Sequence, residues 1–278
     1  MCGRYTLADR TSYTFDEISG VRLEWNGKPR YNIAPSQRAP VIRLEHGLPV
    51  IAELRWGLVP SWAKDEKIAY SLINARSETV AEKPAFRFAF KKRRCLIPAD
   101  GFYEWQQLGA KLKQPWRFVR PDRQPFLFAG LWEHWRNPAD ATAEPLETFT
   151  LLTTTPNSVA APIHDRMPVI LDGEARNQWL DESTTPEALA GLLRPYPDEH
   201  LTRYAVPALV GSPKFDVPDR YNNVPGPPSS GFTTVFAAAD FAATALRAGF
   251  SKAFRCLAMV RRDAAHRRHA VVRTTPAR

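Results

Sequence analysis

Short apolar runs punctuated by turn-forming residues dominate the middle of this chain and predict a sheet. Val41 to Leu44 and Val50 to Leu54 flank His46-Gly47, the pattern of a hairpin. Cys95 to Trp105 reads as a buried strand, a turn at Asp100-Gly101 and a second strand; alternation sets Phe102 and Glu104 on one face and Tyr103 and Trp105 on the other. Trp116 to Val119, Phe126 to Trp132 and Phe149 to Thr153 are three more strands, joined by a turn at Pro121-Asp122 and a polar loop from Asn137 to Glu144. Before the sheet, residues 5–20 predict a short strand and then a helix from about Thr11, with Tyr13, Phe15 and Ile18 on its apolar side. Arg30 to Pro35 is an extended approach to a proline. After the sheet, one helix is expected from Asp172 to about Asp181, and a second opens with Thr185 as cap, Pro186 in the first turn and Glu187. Leu201 to Val210 supplies a closing strand. The composition changes at Val224, so residues 1–224 are expected to form the folded domain, and 225–278 a Pro/Gly/Ser linker with a disordered Ala/Arg-rich basic tail.

With 44% hydrophobic residues and eight tryptophans among 278 residues, material for a core is ample. No apolar run of about eighteen residues and no secretory signal pattern occurs, which predicts a cytoplasmic protein without a membrane partner. Cys2, Cys95 and Cys256 lack paired or zinc-ligand spacing, so neither disulfide framework nor metal site is expected. The net charge of +9 suggests nucleic acid, but residues 247–278 carry nine Lys or Arg against one Asp, leaving the rest of the chain at +1. Global basicity therefore says nothing about the domain, and only local clusters can. One lies at Lys83, Arg87, Lys91, Lys92, Arg93 and Arg94, which also reads as a solvated connection from helix to strand.

Candidate chemistry begins at Met1-Cys2-Gly3. Removal of Met1 would expose a 1,2-aminothiol, whose amine forms an imine with an aldehyde and whose thiol then closes a thiazolidine ring intramolecularly. No cofactor is needed. Asn74, Arg76 and Glu78 fall within reach of one site, or cap the next helix. Glu104 among aromatic residues suits a carboxyl of raised pKa, an acid or base, unless it points to water from an edge strand. His164, in Ile163-His164-Asp165-Arg166, is by itself as consistent with a hydrogen-bonded structural histidine as with a catalyst. Trp56 and Trp62 around Gly57 and Pro60 form a stiff apolar loop, which either caps a core or offers a stacking platform for an unpaired base.

Six ordered blocks (MCGRYTL, RYNIAP, WGLVPSW, INARSE, RCLIPADGFYEW and IHDRMPVIL) closely resemble the SOS response-associated peptidase family over roughly residues 2–210. The resemblance implies an α+β, β-rich single domain with a barrel-like mixed sheet flanked by short helices. It also implies covalent cross-linking to abasic sites in single-stranded DNA through Cys2 once Met1 is removed. Carried over by motif, Cys2, Asn74, Glu104 and His164 make up the catalytic set, while Arg4, Arg76 and Arg166 contact phosphates and Trp62 packs beside the gap. A monomer is expected, with abasic single-stranded DNA as partner. The family's closing strand ends in Val-Asn, whereas this chain has Val210-Gly211-Ser212, so that last sheet position is expected to be altered. Three rivals share features: class II glutamine amidotransferases, which also begin Met-Cys-Gly; a noncatalytic single-strand-binding module; and a peptidase acting beyond its own Met1.

Overall fold

A computed structural model describes residues 2–10, 12–140 and 142–218. The strands are β1 (Tyr5–Leu7), β2 (Tyr13–Ile18), β3 (Val21–Trp25), β4 (Arg30–Ile33), β5 (Arg38–Glu45), β6 (Leu48–Trp56), β7 (Asn74–Arg76), β8 (Arg94–Ala99), β9 (Gly101–Gln107), β10 (Lys113–Val119), β11 (Phe126–Trp135), β12 (Leu146–Thr154), β13 (Met167–Pro168), β14 (Ile170–Leu171) and β15 (Thr202–Ala205). Helices α1 (Arg87–Lys92), α2 (Glu174–Leu180) and α3 (Pro186–Leu192) flank them.

Strands β12, β6, β5, β8 and β11 pair in a ring that closes through β11 and β12, with β12 and β6 parallel and the other pairs antiparallel. This is a small mixed barrel, which removes the exposed edges that a flat sheet of these strands would present. A second, antiparallel sheet runs β15-β10-β9-β1-β4. One apolar core joins the two, from Tyr5 and Phe102 on the second sheet to Trp56, Phe128 and Phe149 on the barrel. The fold is the α+β, β-rich architecture that the resemblance implies.

The hairpin at His46-Gly47 forms as read, both residues taking positive φ (52° and 80°), the conformation that tight two-residue hairpins require. Thr185 caps α3 by accepting from the Ala188 amide. Two expectations are corrected, and one turn is placed. Residues 13–18 form a strand rather than a helix, because Tyr13 and Phe15 alternate with exposed Thr14 and a bulge before Ile18 hides the period of two; the proposed start at Thr11 lies outside the described residues. The turn read at Asp100-Gly101 is a bend that passes the chain from one sheet to the other: β8 pairs in the barrel with β5 and β11, and β9 pairs in the second sheet with β1 and β10. The closing strand stops at Ala205, and Pro207 leads into a 3-10 turn at Ala208–Gly211.

That turn is not loose. Asn32 Nδ2 donates to the carbonyls of Val210, Ser212 and Phe215, and the Asp216 carboxylate accepts from the Tyr31 and Asn32 amides. The altered end is thereby tied to β4 by side chains instead of a ladder. Of the basic cluster, Lys83, Arg87, Lys91 and Lys92 are exposed. Arg94 is buried and donates to the carbonyls of Phe90, Lys91, Trp179 and Asp181, so it closes helix ends. The linker and tail expected at 225–278 lie outside the described residues.

Candidate active site

Four elements distant in sequence converge on Cys2. Strand β1 delivers the N-terminal segment against β9 with Tyr5 opposite Phe102 and Thr6 opposite Gly101, and the Tyr103 amide donates to the Arg4 carbonyl at 3.0 Å. Continuing that register sets Gly3 across from Glu104. Strand β7 lies parallel to β12, taking up the same edge where β6 ends, and alternation places Asn74 and Arg76 on the face opposite buried Ala75. The Asn74 amide nitrogen donates to the Cys2 carbonyl at 2.8 Å, and its Oδ1 has no hydrogen-bond partner among the described residues.

His164 sits in the irregular segment between β12 and β13, and that segment is fastened along its length. Asn157 donates to the Tyr196 carbonyl, Arg203 to the Val159 carbonyl, and Gln106 of β9 to the Pro162 carbonyl. Arg166 then clamps its far end, donating to both oxygens of Glu78 at 2.6 and 2.9 Å and to the Thr153 carbonyl. His164 Nε2 consequently stands 3.9 Å from Glu104 Oε2. Two groups approach His164 Nδ1, the Arg166 amide at 3.0 Å and the Asp165 carboxylate at 2.9 Å. One ring nitrogen cannot serve both as acceptor and as donor. Burial lowers the histidine's pKa, so we assign the neutral ring, with Nδ1 accepting from Arg166 and Nε2–H directed toward Glu104.

The electrostatics follow from burial. Glu104 is 3% exposed, and loss of solvent raises its carboxyl to about 7. Cys2 is 0% exposed, and desolvation, reinforced by the Glu104 charge, pushes its thiol far above the ordinary range. The resting sulfur is therefore a thiol, and any attack by it needs a base nearby that ionises close to neutrality. Glu104 is such a group.

The remaining candidates are placed differently. Arg4 donates to the carbonyls of Gly3 and Gly211, and its Nε has no partner among the described residues. Arg76 is exposed. Trp62 is 59% exposed on the loop between β6 and β7. That loop turns on Gly57, whose φ is +119° and where a Cβ would stand 2.9 Å from the Ala69 carbonyl. Arg166 is buried and committed to Glu78, unlike a guanidinium waiting for phosphate. Glu78, Gln106 and Arg203 hold the site together, yet only Glu78 stood out in the sequence. The other two bond backbone carbonyls of a distant loop, a relation without local pattern.

Among the described residues no group of three His, Cys, Asp or Glu gathers as a metal site, and no helix is long and apolar enough to cross a membrane. A cleft of about 610 Å³ opens between the β5–β6 turn and α2, lined by His46, Asn177 and Glu182 among others. It contains none of the converging residues.

Residues 1–213 match the family model described as SOS response associated peptidase. The abasic site processing protein YoqW of Bacillus subtilis is 44% identical over 222 residues, covering 79% of this chain and 98% of that protein. The abasic site processing protein HMCES of Xenopus tropicalis is 33% identical, covering 79% and 77%. Among solved structures, a protein from Bacteroides thetaiotaomicron aligns with a TM-score of 0.61 at 34% identity over 66% of this chain and 81% of the other.

Proposed function

Because the chain belongs to the SOS response-associated peptidase family, we propose that it processes abasic sites in single-stranded DNA, forming a covalent thiazolidine link through Cys2 after loss of Met1. The observation that carries this reading is the convergence on Cys2 of an amide holding its carbonyl, a buried carboxyl of raised pKa and a neutral imidazole. The names of the relatives supply the substrate class, and the residues supply the chemistry.

The steps balance without a cofactor. The Cys2 amine adds to the aldehyde carbon of the ring-opened sugar, and the resulting carbinolamine loses water to give an imine. The sulfur adds to the imine carbon while the thiol proton passes to nitrogen, so amine, thiol and aldehyde become a thiazolidine plus one water. Glu104, whose carboxyl ionises near neutrality, relays one proton per step and is regenerated each time: from the anomeric hydroxyl to the ring oxygen at opening, from the amine to the departing hydroxyl, and from the thiol to nitrogen at closure. The Nε2–H of the neutral His164 ring donates a hydrogen bond to the departing oxygen without giving up its proton. Asn74 holds the Cys2 carbonyl and offers Oδ1 to the amine or a sugar hydroxyl. Arg4 and Arg76 contact phosphates, and exposed Trp62 stacks on the base beside the gap. Arg166, engaged by Glu78, positions His164 in this scheme. Hydrolysis of the Met1–Cys2 bond by the same carboxylate and thiol would account for the peptidase in the family name.

The test uses single-stranded oligonucleotides carrying an abasic site, its borohydride-reduced alcohol, or an intact base. Only the first should give an adduct that survives denaturing electrophoresis, and Cys2→Ala should abolish it. An adduct of normal yield with the alcohol, or with Cys2→Ala, refutes the mechanism. Intact mass of wild type and Glu104→Ala reports Met1 removal, and ammonia release from glutamine would favour the amidotransferase reading instead.

A further inference from the structure

The nucleophile sits at the start of the chain, where segments fray unless something ties them down. Strand β1 has only three residues, and its ladders are short: two residue pairs with β9 and two with β4, the latter interrupted by an irregularity. Register matters unusually here. A slip of one residue against β9 would turn every side chain of the segment to the opposite face, carrying the sulfur away from Glu104.

What fixes the register lies at the bend between the sheets. The Asp100 carboxylate, 1% exposed, accepts from the Thr6 hydroxyl at 2.5 Å, the Ala8 amide at 2.5 Å, the Asp9 amide at 2.7 Å and the Tyr13 hydroxyl. Four donors within eight positions of the N-terminal segment thus converge on one side chain. Arg117 of β10, also buried, completes the cluster: its Nη2 lies 3.1 Å from Asp100, 2.9 Å from Asp9 and 2.9 Å from the Thr6 hydroxyl. Gly101 makes room, since a Cβ there would stand 2.6 Å from Arg117 Nε and 2.9 Å from Thr6 Oγ1. Asp100 immediately precedes β9, the strand that bears Glu104. The same carboxylate therefore grips the strand of the nucleophile from the end of the strand of the proton acceptor.

We propose that Asp100, braced by Arg117, is a positioning residue that locks the register of the N-terminal strand so that the Cys2 aminothiol faces Glu104. The proposal rests on the function assigned above for its consequence, but the lock can be read without DNA. A locked segment keeps Cys2 buried, and a released one lets it reach solvent.

Thr6→Val removes one hydroxyl at almost constant volume and leaves the charges intact; Asp100→Asn removes the charge and half of the acceptor capacity. Leu131→Ala, in the barrel strand β11 and outside the cluster, serves as a control for general loss of stability. Each folded variant is alkylated with iodoacetamide and the label on the Cys2 peptide is followed by mass spectrometry; adduct formation is then timed at saturating abasic oligonucleotide, with affinity measured separately on the reduced-sugar analogue. The lock predicts faster labelling of Cys2 and slower adduct formation for Thr6→Val, each on the order of fivefold for one buried hydrogen bond, at unchanged affinity. Asp100→Asn should show larger changes in the same directions, and Leu131→Ala neither. Unchanged labelling in a folded Thr6→Val protein overturns the proposal even if Asp100→Asn fails to fold, as does equal labelling of the Leu131→Ala control. Should the wild type form no adduct at all, the assigned function falls, while the labelling comparison still decides the lock.

Discussion

Replacing Glu104 by Gln keeps the shape of the side chain, removes its charge, and has an effect on stability whose pH dependence has a definite sign. Burial lifts the carboxyl from its ordinary 4.5 to about 7, and at 1.36 kcal/mol per unit such a rise is worth about 3 kcal/mol. Its side chain is 4% exposed, so solvent screening takes little from that figure. The folded pKa lies above the unfolded one, so the stability linked to the bound proton is fully present below pH 4.5 and is lost as pH rises through about 7. Gln does not ionise. The melting temperature of Glu104→Gln relative to wild type should therefore climb between these limits, by about 6–12 °C for a domain of this size. The depressed pKa of His164 acts in the opposite sense, favouring the folded state as pH rises past the ordinary histidine range, but it is present in both proteins and cancels in the difference. Differential scanning fluorimetry from pH 4 to 9 measures the effect. Parallel melting curves for the two proteins would refute the burial argument, and with it the case for Glu104 as a base tuned to neutrality. If that argument holds, the adduct rate of wild type should rise with pH around 7 and that of the Gln variant should not.

Two further outcomes follow from single side chains. Trp62→Ala should leave the melting temperature within a degree or two, because the ring is exposed, yet weaken single-stranded DNA binding by about 1–3 kcal/mol in a fluorescence titration, the worth of one stacked base. Glu78→Ala should strand the Arg166 guanidinium, lowering stability by about 1–3 kcal/mol in urea melts, below the range for a fully buried pair because Glu78 is half-exposed; slower adduct formation at unchanged DNA affinity would show that the clamp acts through His164.

The strands at Val41, Val50, Trp116, Phe126 and Phe149 were legible because each carries its own local signal, apolar content bounded by turn chemistry, as was the capped start of α3. The helix expected from about Thr11 failed over residues 13–18 because a bulge shifts a period of two into a spacing that suits a helix equally well. Asp100-Gly101 reads as a turn between two strands, but nothing local shows that the strands on its two sides belong to different sheets.

Sequence alone determined the chemical inventory: a second-position cysteine, a carboxyl among aromatic residues, a histidine beside an arginine, and a body with almost no net charge. Tertiary structure decided which of these meet and in what state. Glu104 acquires a pKa near 7 only because the fold removes its water, Arg166 is turned from a free cation into a brace by a glutamate 88 residues away, and four donors of the N-terminal segment meet on the buried Asp100 carboxylate. Proton affinity and strand register depend on neighbours brought together by folding, and no local pattern along the chain encodes those neighbours.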